Sequence, residues 1–99
     1  FKFHIMATIF LNDILKQNSD LTIAGTMFYD IIKKEISNGQ KVVVDMESVT
    51  SLPSIFLNVS FGKIIDEFGL NTIRQHISFI KITKIQAERL QKYLGAYSA

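Results

Sequence analysis

Three consecutive valines, Val42, Val43 and Val44, set the tightest constraint on what this chain can fold into. A β-branched run with no polar alternate reads as a strand covered on both faces, as in a parallel sheet packed by helices. It is therefore expected to be a central strand. Asp45 stands where that strand should end, and Glu47 to Ser54 forms a loop carrying Ser48, Thr50, Ser51 and Ser54. An apolar helix follows. In open α/β sheets, ligands and partners meet the protein in the loops past the carboxyl ends of the strands, so a working site is expected here.

The flanking segments extend this pattern. Phe3 to Leu11 alternates, with Phe3, Ile5, Ala7, Ile9 and Leu11 on one pleat face and His4, Met6, Thr8 and Phe10 on the other, and reads as a strand. Asn12 to Asp20 is polar around Ile14 and Leu15 and reads as a loop with at most one short turn. From Thr22, the spacing of Ile23, Met27, Ile31 and Ile32, with Phe28 and Ile36 nearby, predicts one face of a helix. Ser19, Asp20 or Thr22 can cap it, and Asn38-Gly39 can end it in the left-handed conformation.

After the central strand, Pro53 suits a first helical turn because its missing N–H has no partner there anyway, with Ser54 as cap or first-turn residue. The apolar residues from Ile55 to Phe68 wrap more than one stripe, so this helix is expected to be sandwiched or to leave an apolar flank exposed. Gly69 closes it, and Leu70 to His76 reads as a connector. Ile77 to Ile82 predicts another strand. Thr83 and Gln86 form a capping box for a last helix with Ala87, Leu90 and Leu94 on its inner face and Gly95 as its stop. The order β, α, β, α, β, α predicts an α/β fold with a small, mostly parallel sheet covered by helices.

Ninety-nine residues suffice for one core and one domain, spanning 1–99. Hydrophobic residues make up 47% and charged residues 20%, a folding composition with apolar surface to spare for a partner or a second copy. Eleven basic residues interleaved with nine acids leave a net charge of +2, so no basic field marks a nucleic-acid binder. The chain has no cysteine, which removes thiolate chemistry and cysteine-built zinc sites and suits a cytoplasmic protein. No apolar run is long enough to span a bilayer, and no membrane partner is expected.

Chemistry-bearing residues are few. His4 and His76 stand in no metal-ligand spacing, so no metal is expected. Asp66 and Glu67 are adjacent on a helix and do not share a face, which argues against a cooperating carboxylate pair. No phosphate-cradling glycine loop and no nucleophile elbow occur, so neither an enzyme nor a cofactor is nominated. Lys81, Lys84, Arg89 and Lys92 read as a solvated surface, since the helical three do not all share one face. Asp45, Ser51 and Ser54 cluster at the strand-to-helix junction. Their plainest role is loop and cap chemistry, with serines accepting from free backbone N–H groups. The same placement would also stabilise a phosphate on a serine, whose charge would repel or recruit a partner.

The stretch VVVDMESVTSLPSIFLNVSFGKI resembles the strand, loop and helix of STAS domains, the fold of bacterial anti-sigma-factor antagonists, and more closely a group of small STAS-like bacterial and phage proteins. The likeness runs from Thr22 to about Leu94. Antagonists carry Asp, Ser, Ser, Gly, Leu after the strand, and the second serine is the one a partner kinase phosphorylates. Those positions fall here on Pro53, Ser54, Ile55, Phe56 and Leu57. The first serine is matched by Ser54, the phosphoacceptor position is Ile55, and Ser-x-Phe at Ser54 to Phe56 fits the STAS-like group.

The resemblance implies a non-enzymatic interaction module that binds a regulatory ATPase or kinase-like protein, or itself. The expected contact is Ser48, Thr50, Ser51 and Ser54 with an exposed helix flank at Phe56, Asn58 and Ser60, and Ser54 is the candidate for phosphorylation. The competing reading is a module for a small anionic ligand, such as a nucleotide, held at the N-terminus of the Ser54 helix.

Overall fold

A computed structural model describes residues 6–97. Three strands, β1 (Met6–Phe10), β2 (Lys41–Asp45) and β3 (Ile77–Ile80), form a parallel sheet in the order β1-β2-β3. The valine strand is central, as its composition requires. Before it come α1 (Leu11–Gln17) and α2 (Leu21–Ser37), and after it α3 (Ser54–Val59), α4 (Phe61–Phe68) and α5 (Leu70–His76). The chain closes on α6 (Lys84–Gly95).

The register puts Ile9, Val42, Val44 and Ile77 on one face, all buried against the helices. Met6, Thr8, Phe10, Ser78 and Ile80 are exposed on the opposite face, with Val43 half-buried among them. Full cover therefore exists on one side only, which corrects the expectation of a strand buried on both. A half-buried pleat accepts valine as readily as a buried one, so the run of three did not distinguish them.

Asp20 caps α2 by accepting from the Thr22 and Ile23 N–H groups, and Gly39, at φ 72°, turns the chain after Asn38. Phe28 of α2 stacks on Phe56 of α3 at 5.7 Å between centroids and meets Phe61 of α4 edge-on at 5.4 Å. Phe61 in turn meets Phe79 of β3 at 5.8 Å. This aromatic series ties two helical layers to the sheet edge.

Four expectations are corrected. The polar stretch after β1 is helical, because Leu11 and Ile14 are spaced i, i+3 and both are buried. The connector after Gly69 is α5, anchored by buried Ile73. The strand β3 stops at Ile80, since Lys81 takes a positive φ of 53° and turns the chain away. The apolar helix after Ser54 is two helices broken at Ser60 (φ −116°, ψ −88°), whose hydroxyl donates to the Phe56 carbonyl at 2.7 Å. An unbroken helix would spread the buried side chains over half its circumference, whereas the break gives α3 and α4 a narrower buried stripe each. His4, Phe3 and Ile5 lie outside the described residues.

Candidate functional site

Beyond the carboxyl end of β2, the backbone first makes a tight polar turn. Asp45 is buried, and its Oδ1 accepts from the Glu47 N–H at 2.9 Å. Lys81, at the matching end of β3, places its Nζ 3.2 Å from Glu47 Oε2 and 3.8 Å from Asp45 Oδ2. The Glu47 carboxylate, then that of Asp45, raises the Lys81 ammonium above its ordinary pKa and keeps it charged. Asp45 is thus engaged in holding the β2 and β3 ends together.

The loop that follows is tied to α6. Gln86 Nε2 donates to the Val49 carbonyl at 2.5 Å, and one turn on, Arg89 Nε donates to the Leu52 carbonyl at 3.2 Å. Val49 and Leu52 are buried beneath it. Gln86 also serves the capping box at the start of α6: its Oε1 accepts from the Thr83 N–H, and its own N–H donates to Thr83 Oγ1, both at 3.1 Å. A single side chain therefore starts α6 and fixes the loop.

On this tethered backbone, Ser48, Thr50 and Ser51 are exposed, and their hydroxyls have no hydrogen-bond partner within the described residues. They do not cap α3. Pro53 takes the cap position and Ser54 is the first helical residue, its Oγ accepting from Arg89 Nη2 at 2.8 Å. Thr50, Ser51 and Pro53 form a ridge between two grooves. One, of about 250 Å³, runs along α1 and the start of α2, and the other, of about 280 Å³, is walled by Ile85, Gln86 and Arg89. Ile85 is 79% exposed, an aliphatic side chain standing free beside an apolar groove.

The expected flank is corrected in part. Phe56 is 0% exposed and lies in the aromatic core, and Ser60 is also 0% exposed and marks the helix break. Neither reaches the surface, because the two are four residues apart and lie on the buried side with Leu57, while Asn58, two residues from each, falls on the other side of the turn. Asn58 is exposed, and its Oδ1 accepts from the Tyr93 hydroxyl at 2.8 Å. The structure thus brings Thr50, Ser51 and Ser54 together on the groove rim, leaves Ser48 exposed in the turn that leads to it, and removes Phe56 and Ser60 from the surface.

Sequence reasoning missed Arg89 and Ile85, four residues apart on α6, and the second use of Gln86. Among the described residues, no cluster of side chains could hold a metal ion, and no helix is long and apolar enough to cross a membrane.

No curated protein and no solved structure matches the chain. The family model described as a STAS-like domain of unknown function (DUF4325) matches residues 24–87, which run from α2 through the loop and the two sheet crossings to the capping-box glutamine, and the chain belongs to that family.

Proposed function

We propose that the domain is a non-enzymatic interaction module that binds another protein through the rim at Ser48, Thr50, Ser51 and Ser54, with Ile85 and Arg89 of α6 as its second wall. One observation carries this reading. The loop is held by two side-chain tethers, yet its three hydroxyls at Ser48, Thr50 and Ser51 have no hydrogen-bond partner among the described residues. A backbone fixed in place with unspent donors and acceptors loses little entropy when a partner docks on it. A regulatory ATPase or kinase-like protein is the partner class that the STAS resemblance implies.

Phosphate on Ser54 is the regulatory step that fits this reading. The group would sit against the Arg89 guanidinium, which already donates to Ser54 Oγ, and would compete with the Leu52 carbonyl for it. The anionic-ligand reading has less support, because α3 is only six residues long.

The test is quantitative co-purification of the native chain, Ser51→Arg, Ile85→Asp, and a control on the bare sheet face, Ser78→Arg. A partner retained by the native chain and the control, and lost by both rim variants, supports the reading. Equal retention by all four chains overturns it.

A further inference from the structure

The helix α2 carries a second apolar surface. Its inner face is made by Ala24, Phe28 and Ile32, and one flank is closed by Tyr29, whose hydroxyl donates to Glu67 of α4. The opposite flank presents Ile23, Met27 and Ile31, spaced i, i+4, i+8 and exposed by 52%, 36% and 36%, with Asn18 Nδ2 donating to the Met27 sulfur at 3.1 Å from the edge of the stripe. At least a third of each side chain is open to solvent on a helix whose polar residues could have occupied those positions. Asp20 bounds this stripe at the N-terminal end and Lys34 at the other, both exposed. Neither takes part in an ion pair among the described residues, where the pairs are Lys33–Glu67, Lys81–Asp45 and Lys81–Glu47.

The stripe is symmetric about Met27. Ile23 and Ile31 lie four residues to either side and Asp20 and Lys34 seven to either side. The two ends therefore carry opposite charges at equal distance from the centre, about 10 Å away along the axis at 1.5 Å per residue. A surface of this kind is complementary to itself when inverted. Two copies laid antiparallel about a twofold axis through Met27 set Ile23 against Ile31 of the second copy and Asp20 against Lys34 of the second copy, twice over. A parallel arrangement would instead set like charges together at both ends.

We infer that this face of α2 pairs with the same face of a second copy, antiparallel about a twofold through Met27. The seven-residue spacing of Asp20, Met27 and Lys34 stays in register only at a shallow crossing angle. Three apolar side chains and two charges per copy cover less than the ~800 Å² per partner of a standard stable interface. The dimer is accordingly weak and concentration-dependent, and the charge pairs supply direction and register more than strength. The rim at Ser48 to Ser54 takes no part in it, so the two surfaces stand or fall separately.

Sedimentation velocity across a concentration series tests the inference. For the native chain, the weight-average mass rises from the 11.3 kDa of the monomer toward twice that value. Met27→Lys, which sets two positive charges face to face on the axis, stays monomeric throughout with an unchanged circular dichroism spectrum. Asp20→Lys and Lys34→Asp are each monomeric alone, because each sets like charges together at both ends. Mixed in equal amounts they associate, since every end contact then joins opposite charges. Asp20 also caps α2, so if Asp20→Lys does not fold, Lys34→Asp, which keeps that cap and sets two carboxylates together at both ends, is the chain that must stay monomeric. A native chain that is monomeric at the highest concentration overturns the inference. So does a Met27→Lys chain that associates like the native one, or a mixture no heavier than its two components. Ser51→Arg, on the rim, leaves the mass unchanged.

Discussion

The α2–α3 contact and the loop–α6 contact are the same kind of event, one segment laid on another, but different forces hold them. In the first, Gly25 brings two helix backbones together and the Phe28 and Phe56 rings fill the space beside it. In the second, Gln86 and Arg89 reach across to carbonyls of a loop with no regular structure of its own. Packing responds to volume, and its loss spreads through everything in contact. A side-chain tether responds to donor and acceptor identity, and its loss stays local. The domain thus has a core that sets whether it folds and a rim that can change without unfolding it.

The largest effect expected from breaking this contrast is at Phe56. Phe56→Asp places a charge in the aromatic core and leaves the chain unfolded by circular dichroism, and Phe56→Ala costs about 3–5 kcal/mol in urea denaturation. A folded Phe56→Asp chain would mean that the residue is not core. Gly25 comes next. A Cβ there would lie 2.3 Å from Val59 Cγ2 and 3.0 Å from the Phe56 carbonyl oxygen. Helix propensity alone would make Gly25→Ala stabilising by about 1 kcal/mol. The close approach reverses the sign, with a net loss of about 1–3 kcal/mol, and Val59→Ala in the same chain recovers part of it.

The tether gives a smaller and more local effect. Gln86→Glu keeps the oxygen that accepts from the Thr83 N–H but removes the donor to the Val49 carbonyl, leaving that carbonyl unpaired against a carboxylate. The expected cost is about 1–3 kcal/mol. Amide exchange should quicken from residues 49 to 52 and in the first turn of α6 while α2 and α3 keep their protection. Uniform loss of protection across the domain would mean that the loop and the core are a single cooperative unit.

What could be read from sequence divides along the same line. Elements governed by a repeating apolar pattern were legible as elements: the valine strand, α2 with Asp20 among its three candidate caps and its Gly39 exit, and α6 with its capping box. The face of α2 was not, since Ile23, Met27 and Ile31 of the expected stripe are exposed and the buried stripe is Ala24, Phe28 and Ile32. Two helices of seven residues, α1 and α5, were not, because two turns bury only Leu11 and Ile14 in one and Ile73 in the other. The break at Ser60 was hidden because serine is tolerated inside helices, and Phe56 was misplaced for a separate reason: it was grouped with Asn58, two residues away, although helical residues at that spacing do not face the same way. The loop that carries the serines was legible from its position after the central strand, while the side chains that hold the loop were not. Gln86 and Arg89 lie 37 residues from the carbonyls they bind, and no local pattern encodes a contact of that range.

The smallest effect is expected at the surface where α2 meets α4. Glu67 accepts from the Tyr29 hydroxyl and lies 3.1 Å from Lys33 Nζ, while Lys33 and Lys63 stand over the Tyr29 ring at 5.5 and 4.7 Å. The Tyr29 O–H, then Lys33, hold the Glu67 carboxyl below its ordinary value of 4.5. A depressed folded pKa means that the unfolded chain binds its proton first as pH falls. The stabilisation is therefore whole above about pH 4.5 and fades as pH drops through the lower, folded value. Glu67 is solvent-exposed, so salt screens the pair and the contribution is slight. In Glu67→Gln, the midpoint of urea denaturation should lose part of its acid dependence and change little at neutral pH. An equally steep acid dependence in Glu67→Gln would place the responsible carboxyl elsewhere.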